Sequence, residues 1–418
     1  MKAKSGASPT LEDSRSRTRH ILKKQSSSKS PGKLPFTEKD RITRFAVERR
    51  LQTPFLVVDL DVIKQNYRAL RSALPATQVY YAVKANPAPD VIKLLVALGS
   101  SFDVASPAEI DLVLGAGAKP GNISYGNTIK KERDIAYAFK KGANLFAFDS
   151  DAELVKLARS APGSRVFCRI LTSCDGADWP LSRKFGCEVD MAFDLLLKAK
   201  KLGLRPRGVS FHVGSQQTRL DQWDTPIRQT AELFMAVKSA GITLDLVNIG
   251  GGLPGHYRDK VAPVDSYGSV IRKTLSKYFP DRAGGPTMPQ IITEPGRSLV
   301  ADSGVIEAEV VLISKKGFSE DVRWVYLDIG KFGGLAETHD ESIKYRIEAL
   351  GRKGATGPVI LAGPSCDSVD ILYEKFHYQL PLSLQVGDKI RIHAAGAYTA
   401  SYASVGFNGF APLPTYCI

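Results

Sequence analysis

Short apolar runs rich in β-branched residues alternate with longer stretches of helical periodicity from Phe55 to about Glu294. Each run has the length of a buried strand, and the stretches between them carry apolar residues three and four positions apart, as one-sided helices require. About eight such units in roughly 240 residues match the size of a (β/α)8 barrel. The sequence therefore predicts a parallel α/β barrel, and since no G-x-G-x-x-G turn opens the first unit, a Rossmann sheet is disfavoured.

The predicted barrel elements can be placed by position. Strands are expected to begin at Phe55, Val79, Phe102, Ile123, Leu145, Val166, Gly208, Leu244 and Gln290. Helices are expected over residues 61–74, 107–114, 130–140, 190–201 and 223–240. Because the parallel strands of a barrel all end at one rim, where barrel enzymes keep their active sites, catalytic residues are sought at the carboxyl ends of the strands.

The pattern changes after Gly296. Strand-like runs at 305–313, 324–327, 359–361 and 389–393 are separated by turns with Gly and Pro, and one helix is predicted at 340–350. These features predict a second, all-β domain formed by residues 36–53 and 303–418, beside a barrel domain at 54–302.

The net charge of +14 is concentrated near the N-terminus. Much of the basic excess lies in the first forty residues, which are also rich in Ser and poor in apolar residues, and this composition predicts a disordered basic tail over residues 1–35. A nucleic-acid, polyanion or organellar-targeting role for this tail is the alternative. No stretch approaches the roughly 18 apolar residues of a membrane span. We therefore expect a cytoplasmic enzyme with no membrane or nucleic-acid partner.

The five cysteines are odd in number and widely spaced, without a C-x-x-C pair. They predict neither a disulfide framework nor a metal site.

Lys84 follows the last apolar residue of a predicted strand, in the segment V-Y-Y-A-V-K-A-N-P that begins at Val79. A lysine held among apolar groups has a lowered pKa, which favours the neutral amine that attacks an aldehyde. For this motif alone, a lysine whose ammonium group reaches solvent is the simpler explanation.

Further motifs also follow predicted strands. Three glycines at 250–252 allow backbone N–H groups to approach a phosphate, Glu294 and Arg297 lie in T-E-P-G-R, and His212 ends another strand. Each motif taken alone has an ordinary structural explanation: the glycines form a turn, Glu294 and Arg297 form an ion pair, and His212 is a core histidine. Together with Lys84 they supply what pyridoxal 5'-phosphate (PLP) needs: phosphate donors and a cation, a carboxylate for the pyridine nitrogen, and a flat group against the ring.

The order of these motifs resembles the ornithine decarboxylase family of fold-type III PLP enzymes, which are relatives of alanine racemase. The matching segments are Y-A-V-K-A-N at 81–86, F-D-V-A-S at 102–106, F-H-V-G-S at 211–215, G-G-G at 250–252, E-P-G-R at 294–297, G-P-S-C-D at 363–367 and G-A-Y-T at 396–399. The resemblance runs from about Thr53 to the C-terminus and excludes the basic tail.

The resemblance implies a role for each matched residue. It makes Lys84 the Schiff-base lysine, Glu294 the partner of the pyridine nitrogen and His212 the residue stacked on the ring. The residues implied to hold the phosphate are Ser215, Gly250, Gly251, Gly252, Gly296, Arg297 and Tyr398. Asp103 and Arg169 are implied to support the lysine and the ring as neighbouring polar groups.

The resemblance also implies a homodimer with active sites shared between subunits. Cys366 of the partner would donate a proton to the substrate Cα, and Asp367 would bind the distal ammonium group. A pair between Lys184 and Asp370 is expected across the interface. The implied reaction, in polyamine biosynthesis, converts L-ornithine to putrescine and carbon dioxide, with L-lysine to cadaverine left open.

The pocket for the distal end of the substrate departs from the family pattern. Phe332 stands where relatives usually have tyrosine, and their substrate-binding aspartate aligns only loosely with Glu337, Asp340 or Glu341. Asp340, Glu341 and Phe407 are the predicted substrate contacts beside Asp367. The alternatives are a meso-diaminopimelate decarboxylase, whose relatives carry Cys-Glu-Ser where this chain has Cys-Asp-Ser at 366–368, a racemase, and a catalytically silent regulatory homologue.

Overall fold

The structure is a computed structural model that describes residues 41–179, 184–280 and 288–418. The chain divides into two units, Met1–Glu48 and Arg49–Ile418. The predicted tail at residues 1–35 lies outside the described residues. All elements discussed below, apart from helix α1, belong to the second unit.

The strands, in chain order, are β1 (Phe55–Val58), β2 (Thr77–Ala82), β3 (Ser101–Val104), β4 (Ile123–Tyr125), β5 (Leu145–Phe148), β6 (Arg165–Arg169), β7 (Ala177–Trp179), β8 (Arg205–Ser210), β9 (Ser215–Gln217), β10 (Leu246–Asn248), β11 (Gln290–Thr293), β12 (Gly304–Ser314), β13 (Arg323–Leu327), β14 (Arg346–Ala349), β15 (Thr356–Ala362), β16 (Ile371–Pro381), β17 (Lys389–His393) and β18 (Thr415–Cys417). The α-helices are α1 (Arg41–Arg49), α2 (Leu60–Ala73), α3 (Pro89–Ala97), α4 (Pro107–Gly115), α5 (Glu132–Lys140), α6 (Asp151–Ser160), α7 (Val189–Lys201), α8 (Asp224–Ser239), α9 (Val264–Tyr278) and α10 (Arg297–Val300).

Eight parallel strands close into a barrel in the order β10-β11-β2-β3-β4-β5-β6-β8. The predicted α/β barrel is therefore confirmed. One strand was placed wrongly, because β1 pairs with β12 and β18 in the second sheet and not with any barrel strand. Its uninterrupted apolar sequence is equally suited to either sheet, so local pattern could not decide.

Alternation along the strands separates the barrel interior from the layer beneath the helices. Tyr80 on β2 and Ile292 on β11 belong to a small inner cluster, whereas Tyr81 packs in the large outer core. Lys84 lies in the 3-10 turn that directly follows β2, and Glu294 directly follows β11. Both groups therefore lie at the rim, where the strands end.

Capping interactions fix where helix α4 begins after strand β3. Ser106 precedes α4, and its side chain accepts a hydrogen bond from the backbone N–H of Glu109 at 3.2 Å. The carboxylate of Glu109 in turn accepts from the N–H of Ala105 at 2.6 Å. This reciprocal capping, with Pro107 in the first turn, starts the helix directly after β3.

The second sheet has eight strands, with the path β14-β17-β12-β13-β15-β16, with β1 attached to β12 and with β18 attached to β1. The second, mostly β domain is therefore confirmed. The helix predicted at 340–350 is wrong: Ala336–Glu341 forms a short 3-10 turn and Arg346–Ala349 is strand β14. Strand β16 was missed, because charged residues on its exposed side interrupt the apolar pattern.

The exact limits of the two domains remain a prediction, apart from the reassigned strand β1. Within the described ranges, no helix is both long enough and apolar enough to cross a bilayer.

Candidate active site

A cavity opens at the rim formed by the carboxyl ends of the barrel strands. It is lined by Ala82, Lys84, Asp103, His212, Ser215, Gly251, Gly252, Leu253, Glu294, Gly296, Arg297 and Tyr398. Every residue predicted to hold the cofactor lines this cavity except Gly250 and Arg169. Gly250 directly precedes the lining glycines, and the charge of Arg169 acts on Asp103 and Glu294.

Lys84 projects into the cavity from a single 3-10 turn, Val83–Ala85, that directly follows β2. Burial alone would lower the pKa of this amine, but the charges of Tyr398, Asp103 and Glu294 outweigh burial and raise the pKa above its usual value. The expectation of an apolar environment with a lowered pKa was therefore wrong. The sequence could not show that three acidic groups from separate elements converge on this lysine.

Two carboxyl groups flank Lys84, because Asp103 on β3 and Glu294 after β11 belong to the two strands that neighbour β2. Asp103 is 8 % exposed, and burial together with the charge of Glu294 raises its pKa well above the usual range. Glu294 accepts a hydrogen bond from the side-chain amide of Asn248, whose own oxygen accepts from the N–H of Gly250 at 2.9 Å. Asn248 thus joins the glycine loop to the carboxylate and fixes its orientation.

His212 presents a neutral imidazole to the cavity. Burial, with the charges of Arg169 and Lys84, lowers the pKa of His212 well below its usual value. The backbone N–H of Gly214 donates to Nδ1 at 3.1 Å, so Nδ1 is the unprotonated nitrogen. A neutral, held ring is suited to stacking against a planar cofactor.

The glycine loop leaves no room for side chains. A Cβ atom on Gly250 would lie 2.2 Å from the carbonyl oxygen of Phe211, and one on Gly252 would lie 2.6 Å from that of Gly214. Both residues also have positive φ, at 67° and 99°. Only glycine permits this backbone to lie so close to the cavity, as a phosphate cradle requires.

Arg297 is held by a dense set of oxygen acceptors. Its two terminal nitrogens donate to the two carboxylate oxygens of Glu337 at 2.7 and 2.6 Å, and Nη1 also donates to the hydroxyl of Tyr257 at 2.6 Å. Nε and Nη2 both donate to Ser215 Oγ, at 3.2 and 3.1 Å. Although burial opposes the charged form, Tyr257 and Glu337 keep the pKa of Arg297 well above its usual value.

The second domain contributes Tyr398 to the cavity. Its backbone has φ of 53°, a conformation that is rare for a bulky side chain, and its N–H donates to the carbonyl of Ala85 at 2.9 Å. The side chain of Asn86 donates to the carbonyl of Gly396 at 2.9 Å and anchors the same segment. The strained segment is thereby fixed to the residues that flank Lys84.

Cys366 and Asp367 do not line the cavity of their own chain. Cys366 is exposed, and its N–H donates to the side-chain oxygen of Asn408 at 3.1 Å. Phe407, beside Asn408, packs on Phe332 with ring centroids 4.4 Å apart. These predicted substrate residues therefore form a separate surface cluster on the second domain.

The three acidic candidates for the distal pocket have different surroundings. Glu337 is 3 % exposed and bound to Arg297, whereas the side chain of Asp340 is 77 % exposed and lies 3.4 Å from His339. The carboxylate of Glu341 accepts from three consecutive N–H groups at the middle of β16, at 2.6 to 2.9 Å. The structure brings neither Asp340 nor Glu341 to the cofactor cavity.

Asp370, predicted to pair with Lys184 of a partner, is engaged within its own chain. It is 3 % exposed, and its carboxylate accepts from the N–H of Lys331 at 2.7 Å and from the N–H and hydroxyl of Ser365 at 3.1 and 2.7 Å. A Cβ on Gly363 would lie within 2.4 Å of both carboxylate oxygens. The buried carboxylate of Asp370 therefore links the loop that carries Cys366 to the segment at Lys331.

A larger groove of about 520 Å³ lies elsewhere on the barrel, lined in part by Arg219, Asp221 and Gln229. None of the predicted site residues lines it.

Asn248, Tyr257 and the intrachain role of Asp370 were not predicted from the sequence, and Glu337 was a candidate only for the substrate pocket. Asn248 could have been suspected, because it directly starts the motif that ends in three glycines. No local signal marks Tyr257, because its partner Arg297 is forty residues away along the chain.

The cavity fits PLP. A Cβ on Gly296 would lie 3.1 Å from the hydroxyl of Tyr398, and one on Gly251 would lie 3.2 Å from Nε2 of His212, so both glycines keep the cavity open. An amine, an oriented carboxylate, a neutral imidazole and an arginine surround that space. Fold and site together define a barrel enzyme of the PLP-dependent class.

Comparison with known proteins agrees with this class. Residues 60–301 match the family model described as pyridoxal-dependent decarboxylase, pyridoxal binding domain. A lysine/ornithine decarboxylase of Selenomonas ruminantium is 34 % identical over 372 residues, which cover 88 % of this chain and 90 % of the relative. Antizyme inhibitor 2 of Xenopus laevis is 35 % identical over 379 residues, covering 87 % and 80 %.

A solved structure of lysine/ornithine decarboxylase from Vibrio vulnificus, complexed with putrescine, superposes with a TM-score of 0.80. It is 32 % identical and covers 90 % of this chain and 97 % of its own. The chain belongs to the family of PLP-dependent ornithine/lysine decarboxylases.

Proposed function

We propose that the protein decarboxylates L-ornithine to putrescine and carbon dioxide, and accepts L-lysine, giving cadaverine, as a second substrate. The observation that carries the proposal is the convergence of Lys84, Glu294, His212 and Arg297 on one cavity, in a chain whose relatives are named for these two substrates. Selectivity between the two amino acids is open, because one methylene changes binding by only about 1–3 kcal/mol.

Each cavity residue has a distinct task in this proposal. Lys84 would hold the cofactor covalently, and the carboxylate of Glu294 would hold the proton on its pyridine nitrogen. His212 would support the ring, while Ser215, the glycine loop and Tyr398 would hold the phosphate. PLP would supply, when bound, the electron sink for the pair left on the substrate Cα as carbon dioxide departs.

The remaining groups of the proposed site come from a second copy of the chain. In a homodimer, Cys366 of the partner would transfer its thiol proton to the substrate Cα, and Asp367 would pair with the distal ammonium group. The exposure of Cys366, outside its own cavity, supports this arrangement. Asp340 and Phe407 remain proposed contacts at the distal end, and a cytoplasmic location remains part of the proposal.

The alternatives make different chemical demands. A diaminopimelate substrate carries an additional distal carboxylate, which Asp367 would repel. A racemase would not release carbon dioxide. A silent regulator is favoured only by the relative named Antizyme inhibitor 2, and Lys84 and Cys366 are both present here.

A panel of L-ornithine, L-lysine, L-arginine and meso-diaminopimelate, assayed for carbon dioxide and for the amine product, tests the proposal. We expect release from ornithine and lysine by the PLP-loaded protein, and none from a Lys84→Ala control. Release from diaminopimelate alone, or from no member of the panel by protein that carries PLP, would contradict the proposal.

A further inference from the structure

Glu337 forms a buried ion pair in which one partner lines the cofactor cavity and the other does not. Glu337 and Arg297 are each 3 % exposed, and only Arg297 reaches the cavity. A buried ion pair is rarely worth its desolvation cost for stability alone, because apolar residues of similar volume often serve as well. The buried pair therefore points to a role for Glu337 in the cavity that Arg297 lines.

Counting donors shows how completely Arg297 is held. A guanidinium group has five N–H bonds. Glu337 accepts one from each terminal nitrogen, and Tyr257 accepts the second N–H of Nη1. Nε and the remaining N–H of Nη2 both point to Ser215 Oγ. Every N–H of the guanidinium thus has an acceptor supplied by the chain.

This arrangement also determines the direction of the Ser215 hydroxyl. Because Ser215 Oγ accepts two N–H donors from Arg297, its own hydrogen is left to donate elsewhere. Ser215 lines the same cavity as the glycine loop. A hydroxyl held in this way is a preorganised donor for a phosphate oxygen.

We propose that Glu337 is a positioning residue for the phosphate end of the cofactor cavity: it fixes Arg297, and through Arg297 it fixes Ser215. Tyr257 completes the clamp on the side away from Ser215. The inference deepens the proposed function and rests on its assignment of this cavity to PLP.

Positioning and net charge predict opposite effects when the carboxylate is removed. Glu337→Gln leaves the positive charge of Arg297 uncompensated, and by Coulomb attraction alone this would tighten the binding of an anionic phosphate. If Glu337 acts by holding Arg297 in place, the same change loosens the guanidinium and weakens binding. The sign of the change in PLP affinity therefore separates the two explanations.

The test measures the dissociation constant of PLP after the apoprotein is reloaded, with pyridoxal, which has no phosphate, as the companion ligand. We expect Glu337→Gln to raise the dissociation constant of PLP roughly 10- to 100-fold, the range found when residues that orient the ligands of a metal site are removed. Pyridoxal binding should be unchanged, and Glu337→Asp should recover part of the PLP affinity. Unchanged or tighter PLP binding by folded Glu337→Gln protein would overturn the inference.

Glu307 offers a matched control. It pairs with Arg391 at 3.2 Å across strands β12 and β17, with both side chains largely buried and away from the cavity residues. Glu307→Gln should leave the PLP dissociation constant unchanged. If it weakens PLP binding as much as Glu337→Gln does, the effect reflects loss of a buried pair in general and the inference fails.

Tyr257→Phe provides a second variant in case Glu337→Gln does not fold. It removes one acceptor from Arg297 and changes no charge, and we expect weaker binding of PLP with unchanged binding of pyridoxal. Equal affinities for PLP in wild type and Tyr257→Phe would count against the clamp. Failure of the wild-type protein to bind PLP would instead refute the proposed function itself.

Discussion

The proposed active site has two halves, one that binds the cofactor and one that acts on the substrate. They differ in whether a single chain can supply the complete half at its own cavity. The cofactor half is built from the ends of several barrel strands and is held by hydrogen bonds such as those among Arg297, Glu337 and Ser215. The half for substrate chemistry, Cys366 and Asp367, lies on an outer loop of the second domain, with Cys366 exposed. We therefore expect cofactor binding to be a property of each chain, and turnover to be a property of two chains together.

Loss of Lys84 should have the largest effect, because it removes the covalent link from the cofactor half. Lys84→Ala should abolish decarboxylation and the visible absorbance of the imine between protein and cofactor, since no other amine among the described residues lines the cavity. Absorbance spectroscopy and product release measure the two losses. A Lys93→Ala variant, which alters an exposed lysine, is the control and should retain both.

Loss of Cys366 should be almost as severe but should be repairable by a partner. We expect Cys366→Ala to reduce turnover by roughly 10²- to 10⁴-fold, the usual contribution of a positioned proton donor. When Cys366→Ala and Lys84→Ala proteins exchange subunits at random, half of the dimers are mixed and each mixed dimer has one intact site. About a quarter of wild-type activity should then return.

Mass spectrometry can establish that the mixed dimers form. If they form and activity stays at the level of Cys366→Ala alone, the two halves do not come from different chains.

Asp370→Ala should affect the substrate half while sparing the cofactor half. The change leaves the donors of Ser365 and Lys331 without their acceptor, at a cost of about 1–3 kcal/mol. If this cost makes the loop that carries Cys366 less ordered, kcat/KM drops about tenfold and the dissociation constant of PLP does not change. Asp388→Ala removes another partly buried carboxylate of this domain and should leave kcat/KM intact.

Glu341→Gln should change stability and leave substrate affinity unaltered. Its carboxylate accepts three N–H groups of β16, so its loss should cost about 1–3 kcal/mol of unfolding free energy in denaturant titrations. A higher KM for ornithine with unchanged stability would instead return Glu341 to the distal pocket.

The smallest effect concerns the pH dependence of apoprotein stability. The folded state keeps His212 neutral, because its pKa is lowered, whereas the unfolded chain binds a proton near the ordinary value of about 6.5. The unfolded state therefore binds more protons below that pH, and stability should fall as pH decreases through it. His212→Asn should show a shallower decline, measured by thermal unfolding between pH 5 and pH 8. An equal slope in both proteins would contradict a neutral His212.

The cofactor half was largely predictable from sequence, because its main residues lie in short motifs at the ends of predicted strands. Lys84, Glu294 and the glycine loop were identified in this way, and the cavity brings them together. The supporting contacts were not predictable in the same way. Glu337 meets Arg297 only after two domains pack, and the side chain of Asp370 turns inward to two loops of its own chain.

The fold shows the same division between local and non-local information. Periodicity located most barrel strands and the helices between them. It failed at β1, whose sheet is chosen by a partner far away along the chain, and at residues 346–349, which pair with β17 and do not continue a helix. Patterns of a few residues cannot encode such pairings.

The pairing of β1 with β12 and β18 has a consequence for the order in which the chain is made. On the ribosome, β1 emerges before any barrel strand, but its two neighbours are synthesised only after the whole barrel sequence. The barrel is thus an insertion between two parts of one sheet. Because domains begin to fold during synthesis, β1 has to remain unpaired while the barrel forms, and the sheet closes only when the last strand, β18, is released.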